Sequence, residues 1–380
     1  MNKPEIVGPP RLFRAPGRVN LIGEHTDYND GFVMPAAIDF FTQIVLSPLD
    51  APVLEFFSEN FKEKVVLDFE NLPQSRRRHW SDYVVGVALM LLREGYKLRG
   101  ARLTIKSDVP IGSGLSSSAA IEVATAYALA LGSDLKIDRM ELARLCRKAE
   151  NEFVGARVGI MDQFISFFGA ADRALLLDCR SLESEHLPVP PSAQLAICNT
   201  MVKHDLALGA YNERREQCEE GVDRLKALIP KVTALRDVTS QQLEEHRKEF
   251  PEVIYRRCRH VVTENERVLA AATALKEDDV LQFGDLMNQS HESLREDYEV
   301  SCIELDLMVD LARGVEGVYG SRMTGGGFGG CTVSLVRRDK TDEFKNRVTA
   351  GYQEATGLTP EIYVCKAVNG AEELPMSDML

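Results

Sequence analysis

The stretch that most constrains the fold is Val109-Pro110-Ile111-Gly112-Ser113-Gly114-Leu115-Ser116-Ser117-Ser118-Ala119-Ala120. A largely apolar run, Ala101 to Ile105, leads into it and an alanine-rich run, Ala119 to Leu131, leads out, so the pattern reads as strand, glycine turn, helix. Three serines fall where the first helical turn begins. Their hydroxyls and the unpaired backbone N–H groups stand at the helix's positive end. Such an end attracts anions, phosphate above all. The order is not the Walker pattern, which needs Gly-Lys-Ser/Thr, nor the dinucleotide fingerprint, which needs glycine at Ser117. Read alone, the cluster is an N-cap on a buried helix, and other stretches have to overturn that reading.

A chain of 380 residues is long enough for two domains, and a boundary near Pro188–Pro191 divides it into 1–190 and 191–380. The formal charge of −13 argues against nucleic acid and anionic membrane as partners, though not against a small anion at a local positive site. Eight cysteines are scattered without CxxC or zinc spacing, as buried thiols in a reducing compartment would be. With no signal-peptide pattern and no run of eighteen apolar residues, the expected location is the cytosol.

A strand from Arg11 is expected to end at Pro16-Gly17. The following run, Arg18 to Gly31, interleaves Arg18, Glu24, His25, Asp27 and Tyr28 with glycine between apolar flanks. That mixture suits a pocket for a polyhydroxylated ligand, or else a solvated loop with incidental ion pairs. Trp80 opens an amphipathic helix to about Arg93, as core or as a surface for a base. A helix over 138–153 starts at the cap Asp138 and places Glu150 and Glu152 in its last turn, where the dipole disfavours acids. Glu150 there either faces water or is held for a cation. In Gly159-Ile160-Met161-Asp162-Gln163-Phe164, the carboxylate Asp162 is costly to bury without partners. Helices follow at 205–229, with Tyr211 near the start, and at 241–249, 251–275, 279–296 and 303–313. Gly320 to Cys331 carries five glycines within 325–330, either a flexible hairpin or a backbone that approaches something closely.

These stretches, in this order, resemble the GHMP kinase family. Gly17 to Asn29 looks like the signature of its galactose-phosphorylating members. Pro110 to Ala120 is similar to the family's phosphate loop, Gly159 to Gln163 to its catalytic-aspartate segment, and Gly320 to Cys331 to its third motif. The resemblance implies an α+β fold of two mixed domains with the active site in the cleft between them. It implies ATP phosphates over Gly112, Ser113, Gly114, Leu115, Ser116, Ser117 and Ser118, with Mg2+ held by Ser117 and Glu150. Arg18, Glu24, His25, Asp27, Gly159, Asp162 and Tyr211 match sugar-binding positions. Asp162 matches the general base and Arg18 its partner; Asp27, the other candidate base, is assigned to sugar hydroxyls. The implied reaction is phosphorylation of galactose at its anomeric hydroxyl by ATP. An N-acetylgalactosamine kinase and a catalytically silent sugar sensor are the alternatives, and the intact Ser116-Ser117-Ser118-Ala119-Ala120 speaks against the second. Monomer and homodimer both stay open.

Overall fold

The computed structural model describes residues 4–203 and 207–379. Strand β1, Arg11–Asn20, runs antiparallel to the long β3, Pro35–Pro48, with the two-residue β2, Phe32–Val33, between them in sequence. The expected stop at Pro16-Gly17 does not occur. The strand kinks instead, with a register shift between Pro16 and Arg18. The kink is local because Pro16 has no N–H to offer the ladder and Gly17 has no side chain to clear: a Cβ there would lie 2.7 Å from the Leu115 carbonyl. The Arg18 N–H donates to that same carbonyl at 3.1 Å, so the kink is where the glycine turn docks on the strand.

β4 (Val53–Ser58), β5 (Glu63–Asp68) and β6 (Ala101–Ser107) extend this sheet. Its order is completed by a strand from far down the chain, β13 (Glu372–Leu374), beside β1. Behind the sheet lie α1 (Asp82–Arg93), α2 (Ser117–Gly132) and α3 (Arg139–Lys148) around Phe13, Ile44, Leu103, Val123 and Leu142. Asp138 caps α3 through its side chain, which accepts from the Met140 N–H at 3.0 Å. The expected α-helix to residue 153 stops at Lys148, and Ala149–Val154 is a wider π-helical turn closed by Gly155 at φ 85°. That widening carries Glu150 inward, since it is buried rather than facing water.

α4, Met161–Phe168, follows, and β7 (Arg173–Asp178) and β8 (Ser184–Pro188) form a small sheet with β2. β9, Ala193–Lys203, is central in a four-stranded sheet and is buried on both faces. Leu195 and Ile197 face the core shared with Val19, Met34 and Val268, whereas Ala196 and Cys198 face Met308, Phe344 and Tyr352. α5 runs Ala207–Leu228, and the expected start at Asp205 lies outside the described residues. α6 (Ser240–Glu245), α7 (Glu252–Lys276), α8 (Val280–Ser293) and α9 (Ile303–Arg313) follow. The helix expected to reach 296 changes at Ser293 into a second π-helical turn, Leu294–Tyr298. β10 (Val318–Thr324) and β11 (Gly329–Arg337) form the glycine-rich hairpin, and after α10 (Thr341–Thr356) the strand β12 (Glu361–Cys365) completes the four-stranded sheet.

Candidate active site

One cavity of about 500 Å3 gathers most of the residues singled out above. At its centre Arg18, just past the β1 kink, meets Asp162 in the first turn of α4. The pair is bidentate, Nε to Oδ1 at 2.8 Å and Nη2 to Oδ2 at 2.7 Å, and the third guanidinium nitrogen donates to the Gly114 carbonyl at 2.5 Å. The Ser116 hydroxyl donates to Asp162 Oδ2. Ser116 precedes α2 in the left-handed region (φ 59°) and its side chain makes no cap bond, so the N-cap reading of this serine fails. Its hydroxyl is turned to the aspartate instead.

On one side lies a polar end. Glu24 is buried, and its carboxylate accepts from the Gly325 N–H at 2.6 Å, from Thr324 Oγ1 at 3.0 Å and from the Asn20 amide. His25 Nδ1 stands 2.8 Å from the Tyr28 hydroxyl, and burial pushes its pKa down to about 3, so the ring is neutral at ordinary pH. Asp27 goes the other way: burial first, then the Asp162 charge, raise its carboxyl to about 6. Gly159 is the reason Asp27 fits, because a Cβ there would lie 2.0 Å from Asp27 Oδ2. Tyr211 closes this end, its ring 5.4 Å from that of His25 and its phenol pKa pushed well up by burial.

On the other side is the glycine turn. Gly112 (φ 69°) and Gly114 (φ 85°) take conformations that favour glycine. The second glycine loop presses on the first: a Cβ on Gly330 would meet the Ser113 carbonyl at 3.1 Å and one on Gly325 the Gly114 carbonyl at 3.4 Å. Gly112, Gly114, Ser116, Ser117 and Ser118 line the cavity. Ser113 and Leu115 do not; the Ser113 hydroxyl donates to the Pro110 carbonyl at 2.8 Å and Leu115 is in the core. Glu150 also lines the cavity, hydrogen-bonded by the Ser118 hydroxyl and by the Gln163 amide at 2.6 Å. Burial, and next the Asp162 charge, push it up to about 7. Gln163 donates a second bond, 3.0 Å, to Glu122 one turn below the serines, whose pKa burial also raises. Among the described residues no group of three or more His, Cys, Asp or Glu converges as a metal site.

Beyond the serines the wall turns apolar, with Phe61, Trp80, Ile105 and Ile121. Trp80 packs on the core, edge-on to Phe56 at 5.6 Å, and is stacked on Phe61 at 5.5 Å on the cavity wall. Sequence reasoning missed Thr324, Gly325 and Gly326 as neighbours of the polar end, although they sit in the glycine-rich run. It also missed Gln163, whose signal was its place beside Asp162 in an apolar segment.

Known proteins align with this arrangement along nearly the whole chain. A family model described as the galactokinase galactose-binding signature matches residues 5–48. The GHMP kinase N-terminal domain matches 82–170 and the GHMP kinase C-terminal domain 271–354. A galactokinase of Chloroflexus aggregans is 50% identical over 95% of this chain and 93% of its own length. One from a Roseiflexus species is 48% identical over 96% of this chain and 93% of its own length. The crystal structure of Lactococcus lactis galactokinase complexed with galactose superposes with a TM-score of 0.93 at 36% identity, covering 96% of this chain and 95% of that one. Matched at both glycine loops and at the segment around Arg18, and near half identity to relatives almost end to end, the chain belongs to the galactokinase family of the GHMP kinases.

Proposed function

We propose that this chain transfers the γ-phosphoryl group of ATP to the anomeric hydroxyl of galactose, with Asp162 as general base. The observation that carries the reading is the position of Asp162 between the polar end and the glycine turn, held by Arg18 and Ser116. A carboxylate offers about four acceptor sites. Arg18 takes two and Ser116 one, which leaves one for the hydroxyl of a sugar lying against Glu24, His25, Asp27, Gly159 and Tyr211. A sugar hydroxyl is a weak nucleophile near neutral pH, so taking its proton as the phosphoryl group arrives lowers the barrier. Arg18 fixes the direction of the remaining lone pair and adds positive charge where the transferring group becomes more negative.

The ATP phosphates would lie along Gly112–Ser118, at the α2 terminus and against the second glycine loop. The purine would stack on the Phe61–Trp80 pair. Glu150 and the Ser117 hydroxyl are the residues that would hold magnesium: both are hard oxygens on the cavity wall, and a carboxylate that burial makes reluctant to ionise gains from a cation. Bound there, the ion would neutralise phosphate charge. The cleft in this reading lies between 1–190 and 191–380, with Tyr211, Gly325 and Gly326 reaching in from the second part. No described helix is long and apolar enough to cross a membrane; the cytosol remains our proposed location.

ADP release measured in parallel with galactose, N-acetylgalactosamine and mevalonate tests the reading. Rapid release with galactose alone is expected. Turnover confined to either other substrate overturns it.

A further inference from the structure

The π-helical turn Leu294–Tyr298 ends at Glu299 in the left-handed conformation (φ 53°). Carbonyls at such an end have no partner inside the helix. Here four in succession are met by arginine. Arg256 Nη1 donates to the Glu296 carbonyl at 2.9 Å and Arg257 Nη1 to Asp297 at 2.5 Å. Arg214 spans the next two, Nε to Tyr298 at 2.7 Å and Nη2 to Glu299 at 2.9 Å.

Arg214 belongs to α5, on one face with Tyr211 and Cys218 by their spacing of three and four. All three work on the same place. Tyr211 lines the sugar end, Arg214 holds the backbone of Tyr298, and Cys218 Sγ lies 3.2 Å from the Tyr298 hydroxyl. That hydroxyl is also 2.7 Å from Tyr28, which in turn holds His25 Nδ1. The Tyr298 ring lies 4.7 Å from His25 and 4.6 Å from His260, and His260 Nε2 is 3.1 Å from the Glu24 carbonyl. Two residues on, the Val300 carbonyl accepts from the Phe328 N–H of the second glycine loop at 2.7 Å. The sugar end and that loop therefore hang from one turn, and α5 fixes the turn from the other side.

We propose that Arg214 is a positioning residue for sugar binding: by clamping the Tyr298 and Glu299 carbonyls it sets the Tyr28–His25 pair before galactose arrives. The inference rests on galactose being the sugar bound at that end. Arginine is required because two carbonyls of adjacent residues need a forked planar donor, whereas an ammonium is a point charge. Arg256 and Arg257 hold the carbonyls of Glu296 and Asp297; only Arg214 grips the residue whose hydroxyl enters the sugar-end network.

Calorimetric titration of galactose into the parent, Arg214→Lys, Tyr298→Phe and the double variant tests this, with steady-state kinetics on the same preparations. Arg214→Lys should raise the galactose Kd and KM about tenfold, as expected when a buried hydrogen bond to a charged group is lost. kcat should fall less than about threefold and the ATP KM should stay within about twofold, because ground-state sugar binding alone is disturbed. Tyr298→Phe should weaken galactose in the same direction, and the double variant should lose less than the product of the singles, since both act on one network. A folded Arg214→Lys with parental galactose affinity overturns the inference, as does equal weakening of galactose and ATP. If Arg214→Lys does not fold, Tyr298→Phe decides, and parental affinity there overturns it. A parent that binds no galactose fails the proposed function itself, and the inference with it.

Discussion

Asp162 and Asp27 are two carboxylates in one cavity with different surroundings, and the proposed division of work between them follows that difference. Asp162 is held by three donors, Arg18 twice and Ser116 once, and has little room to turn. Replacing it with asparagine keeps the shape and removes the proton acceptor, so kcat should fall roughly 10²–10⁴-fold, the usual worth of general-base catalysis. Single-turnover measurements at saturating galactose and ATP check this. A variant that keeps most of its turnover would leave positioning as the main catalytic effect. Asp27, raised to about 6, takes up a proton in the free protein as pH falls through that value. A protonated carboxyl accepts poorly from a sugar hydroxyl, so kcat/KM for galactose should drop about tenfold per pH unit below that point. The Asp27→Asn variant should lose this limb. The stability sign is opposite to that of an ion-paired acid. A carboxyl with a raised folded pKa binds its proton more tightly folded than unfolded, so its contribution to stability falls as pH rises from about 4 to 6. The unliganded parent should gain in melting temperature from this group between pH 7 and 5, and Asp27→Asn should gain less.

At the scale of elements, the site is made by irregularities in otherwise regular structure. The β1 kink docks the glycine turn, the π-helical turn after α3 brings Glu150 to the cavity, and the one after α8 presents Tyr298. Glu150→Gln should raise the magnesium concentration for half-maximal rate and lower turnover, with galactose affinity near parental, because the acid faces the glycine turn rather than the polar end. Titration of rate with magnesium against calorimetry with galactose separates the two, and an unchanged magnesium curve would return Glu150 to a purely structural role. Regular elements were legible in the sequence: the α9 limits and the α3 cap follow from periodicity and capping. The irregular ones were not. A π-turn has no periodicity of its own, and Pro16-Gly17 reads as a strand end unless the carbonyl of Leu115, a hundred residues away, is known to fill the gap. The polar end was legible through composition, since Glu24, His25 and Asp27 share one short run. Its supports were not, because Thr324, Gly325 and Arg214 reach it only through tertiary contact.

Across the whole molecule, β13 ties the far end of the sequence to its beginning. Leu374, Glu373 and Glu372 pair with Leu12, Phe13 and Arg14, and the ion pairs Arg11–Glu373 (2.7 Å) and Arg14–Glu372 (2.6 Å) lie across the join. Ending the chain after Ala371 should cost about 2–4 kcal/mol, from a few ladder hydrogen bonds and two half-exposed ion pairs. kcat at low temperature should stay near parental, since Arg18 lies beyond the kink. A denaturation midpoint equal to that of the parent would show the strand to be dispensable. The same join has a consequence for biosynthesis. As the ribosome makes the chain, β1 finds β3 within some thirty residues, but its other edge waits until Glu372–Leu374 has been translated. A product stalled before that point therefore leaves the ten-residue β1 as the edge of its sheet, where the finished fold ends on the three-residue β13, and a long bare edge is the kind on which nascent chains aggregate and chaperones act.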